Sequence, residues 1–133
     1  MIVNTEWGAF GNQGELDFIL TKWDKRVDAA SINPGKQIFE KMISGMYMGE
    51  VTRQVLVDLV KENLIFVGKN TTNLMLHGRF YTKYVSEIES DPVGDFQLCR
   101  QALADLGIEN ASDAGMYESK YPLKTNEFYT EQM

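Results

Sequence analysis

Two carboxylates in this sequence have the surroundings of groups held for a ligand. Glu6 lies in Val3-Asn4-Thr5-Glu6-Trp7-Gly8-Ala9-Phe10-Gly11, one acid among aromatics and glycines, and Glu40 follows the helix-start signal Asn33-Pro34-Gly35. An ionised carboxylate offers several lone pairs and accepts hydrogen bonds about twice as strongly as a neutral oxygen. Two such groups could therefore grip the neighbouring hydroxyls of a polyol such as a sugar. Glu40 also has an ordinary structural explanation, since a carboxylate near a helix N-terminus is stabilised by the helix dipole. From the residues alone both readings stand.

Other residues carry weaker signals. The Gly45 and Gly49 pair could admit a ligand to the backbone or let two helices pack closely. Glycines 8, 11 and 14 do not form a phosphate loop, because no Gly-Lys-Ser/Thr follows them. Thr82 at a helix start could present its hydroxyl and nearby amides to a phosphate, or simply cap the helix. The lone His77, beside Gly78 and Arg79, reads as a loop residue rather than a catalytic base. Asn70-Thr71-Thr72 and Asn110-Ala111-Ser112 match glycosylation acceptors by coincidence, since no secretion signal accompanies them.

The elements that must position these groups follow from periodicity. Met1 to Trp7 alternates in polarity and predicts a strand, with Glu6 at its end. Thr21 and Asp24 form a capping pair for a helix over 22–30, in which Trp23, Val27 and Ala30 share a face. Asn33 as cap and Pro34 at the first helical position predict a second helix, continued by Phe39, Met42, Ile43, Met46, Tyr47, Val51, Val55, Leu59 and Val60. Gly45 and Gly49 inside it each cost about 1 kcal/mol relative to alanine, so the stretch is expected to kink or break in two. Thr82 is expected to cap a helix over 83–90. Asp95 is expected to cap another, in which Phe96, Cys99, Leu103 and Leu106 face inward before Gly107. Beyond residue 111 no apolar stripe remains.

Composition narrows the classes. A chain of 133 residues with 44% hydrophobic and 24% charged residues suits one compact domain. Its net charge of −6 opposes binding to a phosphate backbone, so nucleic acid is not an expected partner. One cysteine and one histidine supply too few soft ligands for a zinc site. No apolar run reaches the about 18 residues of a membrane span, and the first 20 residues do not read as a secretion signal. The expectation is a soluble, cytoplasmic protein.

Four segments then point to a family. These are Val3 to Gly11, Asn33-Pro34-Gly35-Lys36-Gln37, the run Phe39 to Glu50, and Thr82 to Asp91. In this order and spacing they resemble the eukaryotic hexokinases, glucokinase included, over about residues 1–113. The resemblance implies an α/β class, as part of the larger lobe of an actin-like ATPase (ribonuclease H-like) fold, helix-rich with an N-terminal strand. It implies an enzyme that moves the terminal phosphoryl of ATP, taken with Mg2+ as cosubstrate, to the 6-hydroxyl of glucose or a similar hexose. Glu6, Gln37 and Glu40 match sugar-binding positions of the family. Gly45 and Met46 match one nucleotide-binding segment, and Thr82, Lys83, Tyr84, Val85 and Ser86 match another.

The resemblance also implies missing parts. The glycine-rich phosphate turn, the sugar-clamping lysine and the aspartate general base of the family have no counterpart in this chain, and no catalytic residue is assigned within it. The chain by itself is expected to be inactive, with the remainder of the hexokinase fold as its partner. Residues 114–133 no longer resemble the family and are expected to be a divergent, disordered tail. The alternative function is a noncatalytic regulatory or interaction fragment that engages a full-length hexokinase or another protein.

Overall fold

The computed structural model describes residues 1–111. They form a short 3₁₀ turn, Trp7–Ala9, and six helices: α1 (Lys22–Ala29), α2 (Ile38–Ile43), α3 (Gly45–Lys61), α4 (Thr72–Met75), α5 (Thr82–Ser90) and α6 (Gln97–Asp105). The expected tail at 114–133 lies outside the described residues.

Helix α3 is the spine. It packs against α1, α2, α4 and α5, and α6 packs on α5. The core joins Trp23 from α1, Val55, Leu56 and Leu59 from α3, Leu74 from α4, Tyr84 and Ile88 from α5, and Cys99 and Leu103 from α6. The start of α1 is as expected: the Thr21 hydroxyl accepts from the Asp24 N–H at 3.3 Å, and the Asp24 carboxylate accepts from the Thr21 N–H at 2.9 Å.

Four local expectations are corrected. The N-terminal strand is not formed: no strand occurs among the described residues, and residues 1–6 are exposed. A strand requires a neighbouring ladder for its N–H and C=O groups, and the described residues supply none beside residues 1–6.

The second helix begins at Ile38, not at Asn33. Pro34 and Gly35 instead occupy the middle of a turn in which Lys36 N–H donates to Asn33 O at 3.1 Å and Gly35 has φ +79°. Proline followed by a glycine of positive φ is the pattern of a type II turn.

Thr82 is the first residue of α5 and not its cap; the cap position belongs to Tyr81. Asp95 accepts from the Gln97 N–H, but the buried carboxylate that ties down the start of α6 is Asp91, which accepts from Leu98 N–H and Cys99 N–H at 2.9 Å each. Helix α4 carries no periodic signal and was not anticipated. It starts where the Asn70 side chain accepts from the backbone N–H of Thr72.

The expected interruption near Gly45 is present. Ser44 takes an extended conformation that ends α2, and its hydroxyl accepts from Met46 N–H at 3.1 Å to start α3. Among the described residues no helix is long and apolar enough to cross a membrane.

Candidate functional site

The 3₁₀ turn lies against α2. Phe39 N–H donates to Phe10 O at 3.2 Å, Ile38 N–H donates to the Asn12 side chain at 3.2 Å, and the Phe39 ring sits 6.1 Å from Trp7 and 6.2 Å from Phe10. This docking brings three of the predicted residues to one cavity of about 600 Å³, walled by Glu6, Trp7, Gly8, Gln37, Glu40 and Ser44 among others. Gly8 is the floor. A methyl group there would come within 3.0 Å of the Glu40 β-carbon, 3.2 Å of a Glu40 carboxylate oxygen and 3.4 Å of the Gln37 side-chain nitrogen. The missing side chain is what lets Glu40 and Gln37 close over the turn that carries Glu6.

Glu6 and Gln37 are also two of the residues at which the chain turns sharply. Their φ values are 48° and 53°, in the left-handed region, which costs a residue with a side chain about 1–3 kcal/mol. Glu6 is helped by Asn4, whose side chain donates to the Glu6 carboxylate and accepts from the Glu6 N–H at 3.1 Å. Asn4 was not singled out from the sequence; an asparagine two residues before a turn-forming residue was its signal.

Glu40 is set in direction by its neighbour. Lys41, 3% exposed, donates to Asp28 at 2.7 Å and to Asn33 O at 2.8 Å. That buried anchor fixes the roll of the short helix α2 and with it the side from which Glu40 enters the cavity.

The predicted nucleotide residues gather at the next junction. The Thr82 hydroxyl donates to Gly45 O and accepts from Gly49 N–H at 2.9 Å. Gly49 is packed against backbone: a methyl group there would stand 2.6 Å from Phe80 O and Thr82 N. The first turns of α3 and α5 therefore lie side by side. Gly45 has open space where a side chain would project, and Met46 is exposed.

The five residues from Thr82 to Ser86 divide by face. Lys83 is exposed, with its ammonium 5.4 Å from the centre of the Tyr84 ring, and Ser86 is exposed. Tyr84 is buried beside Phe80, and Val85 packs on the core. Burial, with smaller contributions from Asp105, Tyr81 and Glu87, raises the Tyr84 hydroxyl above its ordinary pKa.

The two junctions are joined through one peptide. Ser44 lines the carboxylate cavity, and Gly45 accepts from Thr82.

Residues 1–120 match a family model described as Hexokinase. The chain belongs to the hexokinase family. It is 50% identical to mouse Hexokinase-1 over 113 residues, or 85% of this chain and 12% of that relative. It is 53% identical to horse Hexokinase-2 over 109 residues, or 82% of this chain and 12% of that relative. A solved hexokinase from Schistosoma mansoni, complexed with glucose, superposes with a TM-score of 0.84 at 37% identity, over 91% of this chain and 28% of that one. The helices described above are thus a piece of the actin-like ATPase fold of hexokinases, and the chain spans about one eighth of the length of the curated hexokinases it matches.

Proposed function

We propose that this chain is the part of an ATP-dependent hexokinase that holds the sugar with Glu6, Gln37 and Glu40 and faces ATP with Gly45, Met46 and the segment Thr82 to Ser86. The observation that carries the reading is the shared junction: the carboxylate cavity and the paired helix N-termini meet at Ser44 and Gly45. The glucose named with the Schistosoma mansoni structure supports a hexose as ligand.

Each group has a task in that reaction. The carboxylates of Glu6 and Glu40 accept from vicinal hydroxyls of the hexose, and the Gln37 amide donates to a ring or hydroxyl oxygen. Together they orient the sugar so that its 6-hydroxyl faces the nucleotide. The N-termini of α3 and α5 carry N–H groups without intrahelical partners and a partial positive charge, which suits phosphate oxygens. Mg2+ enters as part of the ATP cosubstrate. Among the described residues no group of His, Cys, Asp and Glu gathers to hold it, and no step is assigned to it.

Phosphoryl transfer also requires a base or orienting group on the attacking hydroxyl. The family resemblance places that aspartate outside this chain, so the 133-residue chain works only with the remainder of the hexokinase fold, in the cytoplasm. The proposed division is a family-like body of 1–113 and a divergent tail of 114–133, the family model's match running on to residue 120. A coupled assay on the purified chain with glucose and ATP is expected to show no glucose-dependent ATP consumption.

Glucose titration followed by amide NMR shifts tests the site. The Gly8 and Glu40 amides are expected to respond. A hydrogen bond to a charged group contributes about 1.5–3 kcal/mol, so Glu6→Gln and Glu40→Gln should each weaken the response about 10- to 100-fold. Unchanged titrations in both variants would remove the sugar assignment. The second reading, an interaction fragment, is favoured by apolar side chains left open to solvent, such as Phe18, Ile32 and Val93. Co-purification of the chain with a full-length hexokinase would support it.

A further inference from the structure

Residues 74–82 run antiparallel along one face of α3, held by a ladder of side-chain bonds. At the bottom, Arg53 donates to Leu74 O and Met75 O at 3.1 Å each. One turn up, the Glu50 carboxylate accepts from Gly78 N–H at 3.2 Å. At the top, Gly49 and Gly45 share the Thr82 hydroxyl. The lower two rungs are themselves locked together: Glu50 and Arg53 form a two-pronged pair, with N···O distances of 2.6 and 2.9 Å, and their side chains are 11% and 6% exposed.

Apolar burial anchors the segment at Leu74 and Phe80, and the polar ladder spans the stretch between those two anchors. Helix α4 has four residues, too few to be stable by itself, and residues 76–79 are exposed. A buried ion pair is a weak source of net stability, because desolvation offsets its attraction, and an apolar pair of similar volume often serves as well. Its distinctive contribution is geometric, since a planar guanidinium fork fixes both distance and angle.

We propose that Glu50 and Arg53 are positioning residues for the nucleotide end: they set the register of residues 74–82 along α3 and thereby keep the N-terminus of α5 beside Gly45. Neither side chain touches the ligand in this scheme. The effect on ATP rests on the nucleotide reading given above, whereas the register claim rests on the ladder alone, and one experiment separates them.

The test is NMR on the 133-residue chain, comparing wild type with the double variant Glu50→Gln/Arg53→Met, which replaces the ion pair by groups of similar size. Hydrogen exchange at Gly49 and Gly78 is expected to quicken about tenfold, the scale of one lost hydrogen bond, while Leu56 and Leu103 amides keep their protection. MgATP-induced shifts at Gly45 and Thr82 should need about tenfold more ligand, with the glucose response at Gly8 unchanged. Unaltered exchange at Gly49 and Gly78 would overturn the register claim. Faster exchange with unaltered MgATP affinity would overturn the link to the nucleotide. A wild-type chain with no MgATP response at Gly45 and Thr82 would overturn the nucleotide reading and with it that link, while the exchange comparison still decides the register. Should the double variant lose core protection, Arg53→Lys, which keeps the charge but not the fork, is judged by the same exchange contrast.

Discussion

Gly49→Ala probes the contact on which the whole nucleotide end depends. The added methyl would lie 2.6 Å from Phe80 O, 2.6 Å from Thr82 N and 2.8 Å from Tyr81 C, where ordinary contact begins at 3.4 Å. All three obstacles are backbone, so no side chain can swing aside, and the start of α5 must retreat from α3 by most of an ångström. Overpacking of this kind costs about 1–3 kcal/mol. The bond from Gly49 N–H to the Thr82 hydroxyl is stretched in the same movement, a loss of about 0.5–1.5 kcal/mol. Alanine's better helix propensity returns about 1 kcal/mol, leaving a net loss of about 0.5–3.5 kcal/mol. For a domain of this size that lowers the melting temperature by about 2–20 °C, with the middle of the range at about 10 °C. Gly45→Ala is the control: it stands in the same helix, its methyl would meet nothing within 4 Å, and it should melt within a few degrees of wild type. Thermal unfolding followed by far-ultraviolet circular dichroism reads both. If Gly49→Ala melts as high as Gly45→Ala, the close approach of α3 and α5 is wrong, and the placement of Thr82 beside Gly45 goes with it.

Two further outcomes follow from buried charge. Lys41→Met removes the cation from a buried pair, which costs about 3–5 kcal/mol where both partners are fully enclosed. Asp28 is 23% exposed and keeps the Gly35 N–H, so about 2–3 kcal/mol is expected in urea unfolding, with a weaker glucose response because α2 is free to roll; an unchanged midpoint would contradict the anchor. The acid limb of stability should come from Glu50 and Asp58. Burial pushes the Glu50 carboxyl up, but the Arg53 hydrogen bond and charge, the Gly78 N–H and His77 outweigh it and hold the group below its usual 4.5. Burial likewise opposes, and Arg26, the Trp23 indole N–H and Lys22 outweigh it, so that Asp58 is held below its usual 3.8. A carboxyl depressed in the folded state contributes stability that is whole above its unfolded value and is lost as pH falls through the folded one. Melting temperature should therefore be insensitive to these groups above about pH 5 and fall below 4.5, less steeply in Glu50→Gln; a rise on acidification would refute the assignment.

Which parts of this structure could be read from the chain depends on the range of the forces that decide them. Helices α1, α5 and α6 were legible because their apolar stripes repeat within the segment, and in α1 the Thr21 and Asp24 pair also marks the start. The interruption before α3 was legible for the same reason, with Gly45 and Gly49 weakening a continuous pattern. Asn33-Pro34-Gly35 failed because the same three residues suit a helix start and a type II turn, and the choice is made by Asp28, which holds the Gly35 N–H from the preceding helix. Asp95 is the cap that its position beside α6 suggests; Asp91, six residues before the helix, ties it down because the fold buries its carboxylate against the Leu98 and Cys99 N–H groups.

The candidate site divides along the same line. Glu6 and Glu40 could be singled out by residue type, and Gly49 by its lack of a side chain. The left-handed backbone at Glu6 and Gln37 left no mark in the sequence, since neither is a glycine. Glu50 and Arg53 are the sharpest case. Three apart on a helix, they have the spacing of an exposed ion pair that contributes about 0.2–0.5 kcal/mol. What buries them is the chain from Leu74 to Gly78, whose four-residue helix has no periodicity to announce it. A residue that acts by positioning another segment gains its role from that segment, so its signature lies in the pairing of two stretches rather than in either one.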